Sequence, residues 1–334
     1  MIKVAVVILN YNGEKFLREF LPSVIEHSRD ATVIVADNGS NDLSAELIRQ
    51  NFPAVQLIQL NNNYGFCGGY NRALKQVNAE YYVLLNSDVE VTAGWLTPLI
   101  TLLDHRPDIA AAQPKILAYH EPGKFEYAGA AGGYIDSLGY PFCRGRVFDE
   151  TETDTGQYDD VREVFWATGA CLVIRSKVYH ELEGFDEDFF AHMEEIDLCW
   201  KIQRAGYSVY YCGASAVYHV GAGTLSRSNP RKTYYNFRNG LTLVYKHWSA
   251  GQMMWKFPLR ILLDYIAVVK FLLGGKTGDA RAVIRAHYHF AKKFGKNRRK
   301  RKQLRRLPFT TKNIYRGSVV WDHFVLKKKT IPVD

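Results

Sequence analysis

Tyr81-Tyr82-Val83-Leu84-Leu85-Asn86-Ser87-Asp88-Val89-Glu90 holds an apolar run that stops abruptly at three small polar residues, one of them a carboxylate. Such a run reads as a buried parallel strand delivering polar side chains to the carboxyl edge of its sheet, where ligands of open α/β sheets bind. A carboxylate there can hold Mg²⁺ or Mn²⁺ against a diphosphate, because hard cations favour one or two carboxylates plus phosphate oxygens. Alone, Asp88 reads equally well as a turn or helix cap.

The preceding chain repeats the pattern. Lys3 to Leu9 is a β-branched run ending in the turn Asn10-Tyr11-Asn12-Gly13, followed by helical spacing from Glu14 to His27. Thr32 to Ala36 ends in Asp37-Asn38-Gly39-Ser40, and Val55 to Leu60 leads into a glycine-rich loop, Asn61 to Gly69, that opens a helix at about Tyr70. Strand, polar turn and helix at this spacing predict a doubly wound parallel sheet with its polar turns on one edge. That edge suits a nucleotide: Asp37 faces base or ribose hydroxyls, and Gly65, Gly68 and Gly69 let backbone and a helix N-terminus approach phosphates. The loop lacks the Gly-x-Gly-x-x-Gly order of a dinucleotide dehydrogenase.

Composition bounds the rest. The 334 residues are 47% hydrophobic, enough for a full α/β domain and a smaller region. Five scattered cysteines form no Cys-x-x-Cys pair, so neither a disulfide framework nor a zinc site is indicated, and the short run after Lys3 lacks a signal-peptide core. A cytoplasmic protein is expected. The net charge of +9 is uneven: Arg281 to Trp321 holds fourteen Lys or Arg and no acid, leaving a mildly acidic remainder.

Further along, Ile109 to Leu117 reads as a strand leaving the nucleotide half, and Tyr119 to Val164 as an irregular, acceptor-side insertion. Phe165 to Ile174 is a strand broken by small residues. Glu194-Glu195-Ile196-Asp197 starts a helix that runs to Ala205; acids there complement the helix dipole, or one of them serves as a base. Tyr207 to Tyr211 and Ala216 to Tyr218 read as two short strands, and His219 to Thr224 as a mobile glycine loop.

Val6 to Gly13, Ala36 to Ser40, Asn63 to Asn71 and Leu84 to Val89, in this order and spacing, resemble the successive motifs of family 2 glycosyltransferases, particularly the rhamnosyltransferase-like branch. The resemblance runs from about Val4 to Thr224. It implies a GT-A fold, Rossmann-like with a mostly parallel sheet flanked by helices. It also implies transfer of a sugar with inversion from a nucleoside-diphosphate sugar, dTDP-rhamnose or a UDP- or GDP-sugar, to a glycan or lipid-linked acceptor. Asp37 becomes the base contact, Asn10 and Asn12 parts of the nucleotide pocket, and Asn38, Gly65 and Asn71 further donor-binding positions. Asp88 becomes the ligand of a divalent metal, Mg²⁺ or Mn²⁺, with His219 completing that site. Asn86 stands where the Asp-x-Asp motif has its first Asp, and a neutral amide there can still reach ribose or a metal-bound water. Glu195 falls at the catalytic-base position, with Glu for the family's Asp, so the role could slide to Asp197 or Glu194.

The expected organisation is a glycosyltransferase domain over residues 1–228, with a nucleotide half 1–117 and an acceptor half 118–228, then amphipathic helices and a basic tail over 229–334. In the helix at Trp255 to Leu273, Lys256, Arg260, Asp264 and Lys270 occupy an arc of about 120° and the rest is apolar, which suits an in-plane membrane helix or a packed core helix. The Lys292 to Arg306 run reads as a solvated tail, an anchor to anionic lipid or a nucleic-acid patch. An anionic membrane surface at the inner face of the plasma membrane is the expected partner. A nucleotidyltransferase is the rival enzyme, but it wants a basic phosphate loop where this chain has Asn-Tyr-Asn-Gly. Nucleic-acid binding is disfavoured because the positive charge lies outside the sheet domain and no known motif accompanies it.

Overall fold

The computed structural model describes residues 2–221, 229–308 and 312–333. The strands are β1 (Ile2–Asn10), β2 (Thr32–Asp37), β3 (Gln56–Gln59), β4 (Ala79–Asn86), β5 (Val89–Val91), β6 (Ile109–Ala118), β7 (Glu121–Phe125), β8 (Gly133–Asp136), β9 (Pro141–Cys143), β10 (Arg146–Val147), β11 (Glu150–Thr151), β12 (Val161–Val164), β13 (Cys171–Arg175), β14 (Ser208–His219) and β15 (Ile314–Tyr315). The helices are α1 (Glu14–His27), α2 (Ser44–Asn51), α3 (Gly65–Leu74), α4 (Leu96–His105), α5 (Ser176–Glu181), α6 (Glu194–Arg204), α7 (Pro230–His247), α8 (Ala250–Leu273), α9 (Thr277–Lys292), α10 (Phe294–Leu304) and α11 (Val319–Phe324).

The large sheet has the order β12-β14-β6-β13-β4-β1-β2-β3, with β5 on β14 and β7 on β6. Strands β3, β2, β1 and β4 are mutually parallel, which places Asn10, Asp37 and Asn86 at one carboxyl edge: Asn10 lies opposite Asp37 and Leu9 opposite Asn86. The sheet stays mostly parallel, as expected, but beyond β4 strand β13 enters antiparallel to both β4 and β6, while β14 pairs parallel with β6. Strand direction follows the connection between elements, and apolar periodicity carries no direction. Two apolar clusters fill the two faces of this sheet, one around Val6, Leu17 and Leu99, the other reaching from Ala5 to Val244 and Ile331.

The insertion after β6 is also more ordered than expected. Strands β11-β10-β9-β8-β15 form a second sheet, completed from the C-terminal region by Ile314 and Tyr315 beside Ile135 and Asp136. The basic run is not simply a solvated tail: Lys296 and Lys300 in α10 pair with Asp188, Lys300 also reaches Asp186, and Arg204 of α6 donates to the Leu304, Leu307 and Pro308 carbonyls. The tail's charge is thus partly spent inside the molecule, on the loop that precedes α6.

Helix α7 makes the firmest tie. Lys246 Nζ lies 2.7 Å from Asp197 and 2.8 Å from Asp186, and His247 Nε2 lies 2.9 Å from Asp197; Asp197 and His247 are wholly enclosed and Lys246 nearly so. Removing one partner of such a buried pair leaves an uncompensated charge. Lys246→Met is therefore expected to lower unfolding stability by about 3–5 kcal/mol, measured by urea denaturation of the full chain.

Candidate active site

Asp88 and His219, far apart in sequence, meet through strand pairing. β5 runs antiparallel to the end of β14 with His219 opposite Val89, and Val220 N donates to the Asp88 carbonyl at 3.0 Å. His219 Nε2 consequently lies 3.2 Å from Asp88 Oδ1 and 3.4 Å from Asn86 Nδ2. Asp88 caps no helix, since β5 follows directly and α4 begins only at Leu96. The two short strands expected before His219 are one, β14, whose register shifts between Cys212 and Ala216.

The sequence reading missed Glu126. Just past β7, its backbone N–H donates to Ile116 O, and its buried carboxylate lies 3.2 Å from His219 Nδ1. Burial disfavours a charged His219, but Asp88 and Glu126 outweigh it and hold its pKa up at about 10. A carboxylate on the far ring nitrogen is the usual means of orienting a metal-binding histidine. Nothing in the local sequence marked Glu126, because its function follows from the β6 and β7 pairing.

This donor set fits a hard divalent cation bound with a diphosphate. Among the described residues no three Asp, Glu, His or Cys gather into a complete cage. Asp88 and His219 supply two donors side by side, and Mg²⁺-type sites take their remaining ligands from phosphate and water.

At the same edge Asn10 is fully buried, its Nδ2 donating to Asp37 Oδ1 at 3.1 Å and Ser40 Oγ at 3.2 Å, while its Oδ1 is enclosed without a partner. Asp37 Oδ2 accepts from Ser40 N, and Asn12, with φ of 51°, accepts from Asn41 N. Asn38 ties the edge to the next loop, donating to Gly65 O and accepting from Tyr64 N.

At two expected donor positions the contacts in the structure are to protein groups. Helix α3 begins at Gly65 rather than Tyr70, and its first amides are already occupied: Gly65 N donates to Asn63 Oδ1, and Phe66 N and Cys67 N to Phe190 O. Gly65, at φ +69°, is needed because a side chain there would strike the Phe190 ring at 2.6 Å. The glycines admit neighbouring side chains, not a phosphate. Asn71 stands apart, its Nδ2 donating to Phe185 O and its Oδ1 accepting from Tyr179 Oη and Phe185 N. Every strong bond it can offer is spent on joining α3 to the Phe185 segment.

The loop before α6 has an uncommon backbone. Phe190, His192 and Met193 all have φ between 67° and 72°. Asn239 Nδ2 of α7 donates to the carbonyls of Phe189, Ala191 and His192, and Arg238 to those of Asp188 and Phe189. So held, the loop presents Glu194 and Glu195, each with an enclosed Oε2 lacking a partner, beside His192 with an unpartnered Nε2. Unpaired buried polar atoms are uncommon in folded proteins and mark a place for a ligand or water. Burial, partly opposed by backbone amides, pushes Glu195 up to about 7, and burial with the adjacent Glu195 pushes Glu194 well above the usual carboxylate range too. Asp197 is different. Burial alone would raise its pKa, yet Lys246 and His247 hold it ionised well below the usual carboxylate range. A carboxylate so paired is a poorer proton acceptor than one left free. A cavity of about 520 Å³ lies among Asn71, Lys201 and Lys300, and none of the Asp88-edge residues lines it.

A parallel half sheet with a carboxylate and an imidazole at its edge, and an unpaired glutamate at a helix start, are set in a mixed α/β fold of the GT-A kind. Residues 5–156, the stretch carrying β1 to β4 and their motifs, match the family described as Glycosyl transferase family 2. The chain is 28% identical over 239 residues to N-acetylglucosaminyl-diphospho-decaprenol L-rhamnosyltransferase of Mycobacterium tuberculosis, covering 66% of this chain and 76% of that protein. It is 23% identical to rhamnosyltransferase WbbL of Escherichia coli K12, covering 65% and 83%. In fold it is similar to S. aureus TarS 1-349 in complex with UDP-GlcNAc, at TM-score 0.56 and 16% identity over 95% and 99% of the two chains. GalNAc-T7 with UDP, GalNAc and Mn²⁺ gives TM-score 0.59 at 18% identity, with 75% of this chain covering 49% of that one.

Glu126→Gln is expected to weaken Mn²⁺ binding about 10–100-fold in the presence of a nucleoside diphosphate. Electron paramagnetic resonance titration of Mn²⁺ reads this without turnover, and unchanged affinity would leave Glu126 a packing residue only.

Proposed function

We propose that the chain is a metal-dependent inverting glycosyltransferase that moves rhamnose from dTDP-rhamnose to a lipid-linked saccharide in surface-polysaccharide synthesis, at the inner face of the plasma membrane. The single observation that carries the chemistry is Glu195, a half-buried residue whose Oε2 is enclosed and unpaired, on a helix start held by a strained loop. Support for the donor and acceptor classes comes from the names of the relatives, an L-rhamnosyltransferase acting on a decaprenol-linked substrate and WbbL.

In this reading Asn10, Asp37 and Asn12 receive the nucleoside, and Asn86 contacts ribose or a metal-bound water. Asp88 and His219 hold Mg²⁺ or Mn²⁺, with His219 neutral when it ligates and its Nδ1–H directed to Glu126. The bound cation would neutralise charge gathering on the departing diphosphate. Glu195 takes the proton from the acceptor hydroxyl as that oxygen bonds to the anomeric carbon on the face opposite the diphosphate, so configuration inverts. A base with pKa near 7 suits this task because it is largely free at working pH and still basic enough to draw the proton. Asp197, locked by Lys246 and His247, fixes the first turn of α6 and so positions Glu195.

Glu195→Gln is expected to lower kcat by about 10²–10⁴ while nucleotide binding survives. In the free enzyme the base must be ionised, so kcat/KM should fall about tenfold per pH unit below pH 7 and level off above it. If Asp197→Asn gives the kcat loss without destabilisation and Glu195→Gln stays near wild type, the base has been misassigned. Donor identity is read by thermal shift: dTDP-rhamnose with Mn²⁺ should raise the melting temperature more than UDP- or GDP-sugars, since a ligand that binds only the folded state stabilises it. A larger shift with another sugar nucleotide replaces rhamnose as donor.

A further inference from the structure

Helix α8 is inside out. Its charged residues Lys256, Arg260 and Asp264 are buried against the protein, Asp264 completely. Asp264 accepts from Tyr140 Oη at 3.1 Å and Arg260 Nε at 3.2 Å and lies 3.1 Å from His287 Nε2, while Arg260 donates to the Leu138 and Gly139 carbonyls. These partners satisfy the inward charges and fix the helix's rotation. Its outward face therefore presents Trp255, Leu259, Leu262, Ile266, Val269 and Leu273, a continuous row at three- and four-residue spacing, with Leu262 56% and Leu273 86% exposed. The sequence left an in-plane membrane helix and a packed core helix both open, and the burial of the charged arc favours the first.

The row continues onto α11. Lys270 Nζ lies 3.8 Å from the Phe324 ring centroid, and Phe324, Trp321, Val325 and Leu326 are exposed beside it. Soluble proteins rarely leave so long a contiguous apolar surface open to water. Lys270, Lys276 and Lys327 to Lys329 edge it, and α8 has no acid on its outward side, since Asp264 is its single acid and is buried.

We infer that this face is a lipid-docking surface, on which α8 lies in the plane of an anionic bilayer with its apolar row among the acyl chains and the flanking lysines at the headgroups. At 24 residues, α8 is about 36 Å long, and no helix among the described residues is long and apolar enough to cross a membrane. Outward Trp255, Tyr265 and Trp321 suit the boundary between apolar and wet layers. A second copy of the chain fits less well: a twofold contact would set the same lysine rim against itself, whereas an anionic surface complements it. The inference rests on the glycosyl-transfer reading only in what the docked enzyme would meet there, a lipid-linked acceptor.

The test uses the full chain and vesicles containing no donor or acceptor. Wild type should co-sediment with vesicles of phosphatidylglycerol and phosphatidylcholine in equal parts. Leu262→Gln with Ile266→Gln should weaken binding about tenfold per side chain. Lys327→Glu with Lys329→Glu should remove the preference for anionic over neutral vesicles, about fivefold per lysine at low salt. Leu259→Gln with Leu273→Gln repeats the apolar test should the first pair alter the melting temperature. Vesicle binding that neither apolar pair weakens overturns the inference. So does a wild-type dimer, seen by light scattering, that these pairs convert to monomer while lipid binding is absent. Since no turnover is read, lipid binding that follows α8 stands even if transfer is never observed, and transfer without lipid binding removes only the docking face.

Discussion

The site depends on a backbone conformation that the chain would not adopt unaided. Three non-glycine residues, Phe190, His192 and Met193, sit in the left-handed region immediately before α6, at about 1–3 kcal/mol each. What opposes this strain is a set of carbonyl contacts from elsewhere: Asn239 and Arg238 from α7, and the first amides of α3, which donate to Phe190 O. Asp186 and Asp188 in the same segment are held by Lys246 and by Lys296 and Lys300. The loop is over-determined from three sides, which is the condition under which strain persists at a functional site. The result is two glutamates at a helix start with oxygens left unpaired.

The C-terminal helices thus hold the loop and helix start that carry Glu194 and Glu195. Asp197 is a buried anion one turn inside α6, and without Lys246 and His247 the helix start could not carry it beside Glu194 and Glu195. His247 stacks on Trp200 with centroids 4.5 Å apart, and burial drives its pKa down to about 4, so it serves as a neutral hydrogen-bonding partner while Lys246 supplies the charge. The acids of α6 are thereby placed in different surroundings: Asp197 is held ionised as an anchor, and Glu195 keeps an enclosed, unpaired oxygen.

Much of the edge chemistry was legible in the chain. A β-branched run that ends in small polar residues has few other meanings, and β1, β2, β4 and the positions of Asn10, Asp37, Asn86 and Asp88 followed from that pattern. His219 was legible only through resemblance, and its meeting with Asp88 needed the antiparallel pairing of β5 with β14. Glu126, Asn239 and Arg238 were not legible, because each acts through a partner 47 or more residues away, where local spacing carries no signal. The glycines of α3 misled for a physical reason: a missing side chain means close approach, but the sequence does not say of what. Here Phe190 fills the space at Gly65, and Leu9 and Asn38 that at Gly69.

Helix α8 shows the same ambiguity at larger scale. A narrow charged arc on an apolar helix implies that one side differs from the other, and burial is ordinarily assigned to the apolar side. That assignment fails when the interior offers partners for charge. Tyr140, the Leu138 and Gly139 carbonyls and His287 together make such an interior for Arg260 and Asp264, with the Arg260 guanidinium 3.6 Å over the Tyr140 ring. Turning α8 around would leave these groups unpaired and expose the charges to water, so rotation is controlled by the polar pocket beneath the helix and the apolar face is left outward as a consequence. The fold then tolerates an apolar surface that its own core does not use. Because α8 packs on α9, α9 on α7, and α7 on the strained loop, what covers that surface and what holds the catalytic glutamate are joined by direct packing.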